Sequence, residues 1–303
     1  MKKTKLLTIL AASLILLGLV IATIGLVAVN FDFSKLTLAQ LTSNIHTVKE
    51  GFTNISIDTD ISDVRLELSE DSTCQVICME EGNYTHKVSV EHNTLTITTE
   101  DNRMWYEKGG IHFGDFHSIT IRLPQKAYKD LAVNCDTANV EIPKDFSFDW
   151  ADITTTTGDI KWQGSEVDKL SLGVSTGDIL VKDITFCKNL TAKASTGDIT
   201  LSNILVLGDL IAKTSTGDVL FDRFDASAME VKTTTGDVTG TLLSYKRFTV
   251  YTDTGKFRLP PMPDDKTTLV ITDKDGKELS TLTPKYGPCN ITTTTGDIYI
   301  ELS

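Results

Sequence analysis

The chain has 303 residues, 40% of them hydrophobic and 7% aromatic, with a formal net charge of −12. So much apolar sequence builds one large or two modest cores and excludes a disordered protein. The acidic balance argues against nucleic acid and bare anionic lipid as partners of the surface.

Lys2, Lys3 and Lys5 precede an unbroken uncharged run from Leu6 to Val29. As a helix this run is about 36 Å long, enough to cross a hydrocarbon core of roughly 30 Å with some tilt. A signal-peptide core is only about 7–15 residues long, "VAVNF" makes a poor cleavage site, and no cysteine follows for lipidation. Residues 1–30 therefore read as an uncleaved anchor. The three lysines place its N-terminus in the cytoplasm and the rest of the chain outside the membrane. Without those lysines the exported part carries a charge of about −15.

Residues 31–50 form a juxtamembrane linker on this reading, and 51–130 a β-rich N-terminal cap. "ISIDTDISDVRLEL", "CQVICM", "HKVSVE", "TLTITTE" and "SITIRL" alternate apolar and polar residues with turn signals between them, as a meander does. Residues 101–118 are a loop. Cys74 and Cys78 lie about 13 Å apart on one strand, which excludes a bridge between them. Five cysteines (Cys74, Cys78, Cys135, Cys187 and Cys289) are too few and too uneven for a disulfide framework. No CxxC or His-rich spacing marks zinc, so they read as small core residues.

From residue 131 to 303 a period of about 20 takes over. Gly158, Gly177, Gly197, Gly217, Gly236, Gly255 and Gly296 follow one another at intervals of 19, 20, 20, 19, 19 and 41, each preceded by Thr. Ala138 holds the glycine place one coil earlier. The last interval reads as two coils, with "DKDGKEL" around Gly276 as a degraded coil or a hairpin. Apolar or small residues stand seven, five and three places before the glycine, and others two and four places after it. The inward parity switches at the turn, so one strand must bend through Thr-Gly-Asp to return its alternation to the same core. Glycine suits a bend with φ > 0.

Two strands and two turns per coil, repeated about eight times, describe an all-β parallel β-solenoid of 20-residue coils stacked about 4.8 Å apart. One coil cannot fold alone, and the N-terminal meander is its first cap. A trace of the repeat extends into that cap, where Ile55, Ile57 and Thr59 precede Ser62 at the glycine place and Asp63, Val64 and Leu66 follow. The alignment sets Cys135 and Cys289 inward and Cys187 at the second turn.

Asp159, Asp178, Asp198, Asp218, Asp237 and Asp297 follow the glycine in six coils. Stacked about 5 Å apart they repel by roughly 0.9 kcal/mol per pair in water. On the structural reading each carboxylate caps N–H groups of its own turn, with Lys193, Lys213 and Lys232 offsetting charge. The alternative is a Ca²⁺ column, for which Asp178, Asp198 and Asp218 are weak metal candidates. One carboxylate per coil is a thin ligand set, and Lys256 and Lys277 interrupt the column. No cofactor is expected. His112, Asp115 and His117, with Asp101, are a further candidate metal or catalytic group, and Trp105 and Tyr106 a candidate aromatic contact. No Gly-x-Ser-x-Gly, Walker, HExxH or kinase signature is present. The coils lack the long unequal loops with which β-helix polysaccharide lyases build a groove.

A single N-terminal span, "FTNISIDTDISDVRL", "DNRMWYE" and serial "STGDI" resemble the bacterial β-strand-repeat family called "putative adhesins", a domain of unknown function whose layout LiaG-like envelope proteins share. The resemblance covers residues 50–302. It implies an exported, membrane-attached β-solenoid and transfers no catalytic residue. The expected function is a non-catalytic, adhesin-like interaction or scaffold module of the cell envelope, with the membrane and a cell-wall component or envelope protein as partners. The alternatives are an envelope-stress accessory or sensor acting on a membrane partner and a polysaccharide-active β-helix enzyme.

Overall fold

An uncharged apolar stretch of helix has nothing to gain from water, and the one in this chain is not buried against protein either. The computed structural model describes residues 2–28, 41–104, 117–184, 187–261, 271–272, 278–280 and 287–303. Its one helix, α1 (Lys2–Ala28), carries an apolar window, Leu10–Val27, long enough to cross a membrane and nowhere buried.

The other regular elements among the described residues are strands. β1 (Leu41–Val48), β2 (Asn54–Thr59), β3 (Asp63–Leu68), β4 (Cys74–Glu81), β5 (Tyr84–Glu91), β6 (Thr94–Asp101) and β7 (Ser118–Leu123) come first. The repeat region continues with β8 (Ala127–Thr137), β9 (Val140–Ile142), β10 (Ser147–Thr157), β11 (Ile160–Gln163), β12 (Glu166–Thr176), β13 (Ile179–Lys182) and β14 (Cys187–Thr196). The long strands β15 (Ile199–Lys213) and β16 (Val219–Lys232) each join the second arm of one coil to the first arm of the next. β17 (Val238–Leu242), β18 (Arg247–Thr254), β19 (Phe257–Arg258), β20 (Ile271–Thr272), β21 (Glu278–Ser280), β22 (Pro288–Thr295) and β23 (Ile298–Leu302) complete the chain.

The arms stack in parallel and in register. One inward row runs Leu95, Ile55, Leu131, Ala151, Leu170, Leu190, Leu210, Met229, Cys289, Phe248, and every member is buried. These ten residues mark ten rungs, two more than the sequence suggests. Burial of such side chains is worth about 1.5–3 kcal/mol each and supplies the main driving force. Other inward rows carry Phe148, aligned with Tyr128 and Val167, and Trp162, aligned with Ile142 and Val181; Trp162 is fully buried, with its indole N–H donated to Ser165 O at 3.0 Å.

Rung order does not follow chain order at either end. β2 pairs with both β6 and β8, and β3 with both β7 and β9, so β2–β3 is a true rung with β6–β7 outside it. At the far end β22 lies between β16 and β18, and β23 between β17 and β19. Among the described residues the long glycine interval therefore holds one inserted rung and the antiparallel pair β20–β21, which matches the hairpin alternative for "DKDGKEL" and not a second stacked coil.

The expected N-terminal meander is only partly a meander. β4 and β5 pair antiparallel with β7 and β6 and cover the outer rung, and β1 adds antiparallel to β4. β2 and β3 instead keep the parity of the repeats, which is why they join them. Strand β1 also occupies part of the segment read as linker.

Candidate functional site

Each turn glycine brings its backbone against the carbonyl of the residue at the glycine place one rung away, Ala138 for Gly158 and a glycine for the other six. A Cβ at Gly197, whose φ is 141°, would lie 1.9 Å from Gly177 O. Gly255 lies outside the left-handed region, yet a Cβ there would lie 2.0 Å from Gly296 O. Gly158, Gly177, Gly217, Gly236 and Gly296 combine positive φ with the same close approach, so contact between rungs is what all seven positions share.

The residue after the glycine has its N–H turned along the solenoid axis, where a carboxylate of the adjacent rung receives it. Asp178 N donates to Asp159 Oδ1 at 2.9 Å, Asp198 N to Asp178 Oδ1 at 2.8 Å, and Asp218 N to Asp198 Oδ1 at 2.8 Å. Asp237 N, Asp297 N and Lys256 N continue the series at 2.7 Å each, and Asn139 and Asp63 extend it in the other direction. The carboxylates thus bond the neighbouring turn rather than their own, because stacking brings that N–H closer than any in the bend. One backbone donor per rung is satisfied this way, and one oxygen of each aspartate is taken. At Asp297 the Lys256 N–H, with help from the Tyr299 hydroxyl, holds the carboxyl below its usual range.

Beside this column the outward residues of the first arms line a groove of about 600 Å³. Its floor is the aligned series Asn134, Thr154, Gly173, Lys193, Lys213 and Lys232 over six rungs, and its rim is a file of exposed hydroxyls, Thr156, Ser175, Ser195, Ser215 and Thr234. Gly173 opens the floor between Thr154 and Lys193. Lys213 Nζ pairs with Glu230 at 2.5 Å.

A second polar constellation is buried where β4 and β5 close over the first rungs. Ile61 N donates to Tyr84 Oη at 3.3 Å, Tyr84 Oη contacts Ser62 Oγ at 3.2 Å, and Ser62 Oγ contacts His86 Nε2 at 3.0 Å. His86 Nδ1 meets Glu80 Oε1 at 3.2 Å, and the backbone N–H of His86 reaches the same oxygen at 2.6 Å. Burial pushes the His86 imidazole below its ordinary range, so it is neutral, with Nδ1–H donated to Glu80 and Nε2 accepting from Ser62. The order hydroxyl, imidazole, carboxylate is that of a nucleophile relay. Ser62 is wholly buried, however, and Tyr84 occupies its Oγ, so in this arrangement the relay ties the end layer to the first rungs.

Of the sequence candidates, Asp101 holds the Arg103 guanidinium at 2.9 Å, and that guanidinium lies 4.6 Å over the Tyr84 ring. His117 is buried against the same ring, with Nε2 3.3 Å from Glu81 Oε2. His112, Asp115, Trp105 and Tyr106 lie outside the described residues. All five cysteines are free and buried, Cys187 included. Sequence reasoning missed Ser62, Tyr84, His86, Glu80 and His46. The available signal was parity: Glu80 follows Cys74, Val76 and Cys78 on the inward face of β4, and Tyr84 and His86 begin the inward face of β5.

The family model described as Toastrack DUF4097 matches the sequence twice, over residues 52–190 and 182–303. No curated protein matches it. Among solved structures, a protein titled a "putative lipid binding protein" from Parabacteroides distasonis aligns with a TM-score of 0.50 at 14% identity, covering 86% of this chain and 97% of its own. This likeness is one of fold. A "putative adhesin" from Parabacteroides merdae aligns with a TM-score of 0.40 at 15% identity, over 87% and 96% of the two chains. One from Bacteroides fragilis aligns with a TM-score of 0.39 at 12% identity, over 87% and 97%.

Proposed function

Because the chain belongs to the Toastrack DUF4097 family, we propose that it is a non-catalytic, membrane-anchored interaction module of the cell envelope. In this reading residues 1–30 are a retained anchor with a cytoplasmic N-terminus. A solenoid closed at Ser/Thr-Thr-Gly-Asp turns presents its groove to a cell-wall component. The carrying observation is the groove itself, whose rim offers one hydroxyl per rung over five rungs and whose floor offers one lysine per rung over the last three, Lys193, Lys213 and Lys232. A surface with a translational repeat suits a polymer with one, since successive units of the ligand meet the rim hydroxyls at the same spacing and, over three rungs, a lysine as well. Lysine in the floor favours an anionic glycan, through charge-assisted hydrogen bonds that weaken with salt.

The test is co-sedimentation of the detergent-solubilised full chain with purified cell wall. Expected are salt-sensitive retention and a drop of several-fold when Lys193, Lys213 and Lys232 are all changed to Ala. Retention unaffected by that change would refute the groove as the contact surface.

A second reading, an envelope-stress accessory acting on a membrane partner, is favoured by β1. Among the described residues this strand pairs only with β4, and Ile45 is exposed on it. An open edge close in sequence to the anchor suits strand addition by a partner. Capture of a membrane protein dependent on β1 and not on the groove lysines would select this reading.

A further inference from the structure

We propose that His46, Cys78 and Glu80 form a transition-metal site at the capped end of the solenoid, and that Zn²⁺ is the ion its donors fit. The site is independent of the groove and of what the groove binds.

One imidazole nitrogen, one thiol sulfur and one carboxylate oxygen from these residues lie within 4.8 Å of one another. Tetrahedral zinc with bonds of about 2.0–2.3 Å sets its ligands roughly 3.3–3.8 Å apart, so a contraction of about an ångström closes the shell. Backbone pairing dictates the grouping. In the β1–β4 register His46 stands opposite Val76 and Asn44 opposite Cys78, so His46 and Cys78 are diagonal neighbours on one face. Glu80 follows Cys78 by two residues and shares that face.

Two further observations point to a ligand. The Nε2 of His46 is buried and has no hydrogen-bond partner, a state that calls for an explanation in a folded protein. Glu80 is nearly fully buried yet held in place on several sides: Asn44 Nδ2 donates to its Oε2, and the His86 ring and backbone N–H groups donate to its Oε1. Such outer bonds orient a ligating carboxylate, and a carboxylate's roughly four lone-pair positions leave one for the ion.

A thiolate excludes Ca²⁺ and Mg²⁺, which take oxygen ligands, and an imidazole–thiolate–carboxylate set suits zinc. Three protein ligands leave a fourth position for water. Burial, followed by the Glu80 charge, pushes the Cys78 thiol up to about 12, so the ion-free site holds a protonated sulfur. On binding, that proton leaves to solvent as the metal–sulfur bond forms. Because His46 lies on β1 and the other two ligands on β4, the ion would fasten the strand that follows the anchor to the end layer of the solenoid.

The experiment is a Co²⁺ titration of the metal-stripped, detergent-solubilised full chain, followed by competition with Zn²⁺. Expected are a thiolate-to-cobalt charge-transfer band saturating at one equivalent, its displacement by Zn²⁺ but not by millimolar Ca²⁺, and its loss in Cys78→Ser. Since Cys78 is a core residue, His46→Gln on the exposed strand provides the second variant, expected to weaken Co²⁺ binding at least tenfold while the far-ultraviolet circular dichroism stays unchanged. No charge-transfer band in the parent would overturn the proposal. So would a band that disappears in Cys74→Ser but not Cys78→Ser, or undiminished affinity in His46→Gln.

Discussion

Replacing Gly197 with alanine tests the turn column at its centre. The new Cβ would stand 1.9 Å from Gly177 O and 2.6 Å from Gly177 C, both backbone atoms that cannot swing aside, in a residue whose φ is 141°. Strain of that backbone region in a non-glycine residue costs about 1–3 kcal/mol. Relieving the contact needs more than an ångström of separation between two rungs. The bonds that stretch are Gly177 N to Thr196 O at 2.9 Å and Asp198 N to Asp178 Oδ1 at 2.8 Å, worth about 1 kcal/mol net each. The sum is about 3–5 kcal/mol, or a fall in melting temperature of about 6–20 °C for a domain of this size. Two controls make the argument sharp. Ala194→Val adds volume to a small inward place and should cost about 1–3 kcal/mol. Gly255→Ala meets the same carbonyl clash without positive φ, on an outer rung that can yield, and should cost less than Gly197→Ala. Thermal and urea melts of the three variants would measure the order. A Gly197→Ala loss no larger than either control would refute the reasoning.

The aspartate ladder and the anchor give three further tests. Asp198→Asn keeps an oxygen at Oδ1 for the Asp218 N–H and should cost under about 1.5 kcal/mol, while millimolar Ca²⁺ should leave the melting temperature of the parent unchanged; a calcium-dependent rise abolished by changing Asp178, Asp198 and Asp218 together to Asn would instead make the column a binding site. Asp297 is depressed below its ordinary value of 3.8, so its contribution to stability is fully present above that value and lost as pH falls through the lower folded value. The melting difference between the parent and Asp297→Ala should therefore be flat from pH 5 to 8 and shrink only in stronger acid, and a difference that grows toward acid would contradict the assignment. N-terminal sequencing of membrane-fraction protein should begin at or next to Met1; a soluble product beginning near Phe31 would show that the apolar run is removed.

The repeat was legible because its constraints are local. A glycine every 20 residues and the parity change across it define which side chains face inward, and the same rule, carried back to Ile55, Ile57, Thr59 and Ser62, marked a trace of the repeat inside the expected meander, where the structure has a full rung. A period says which residues are equivalent, though, and not which copies are neighbours. The exchange of order at both ends depends on pairings such as Leu95 with Ile55 and Cys289 with Phe248, for which a single sequence holds no signal. The ladder was half visible: the aspartates were found, but the donors they accept from were assigned within the turn, because spacing along the chain conceals an N–H that arrives from 19 or 20 residues away. The His46, Glu80 and His86 group is assembled from three strands, and each member alone looks like an ordinary polar residue on a strand.

The inserted rung at the far end makes Pro288–Leu302 a keystone. β22 and β23 slot between strands made before them, so β18 and β19 lack the neighbours they pair with until Pro288–Leu302 is in place. A chain cut short before that point would lose an interior layer rather than a frayed tip, leaving two unmated sheet edges open to quality-control proteases.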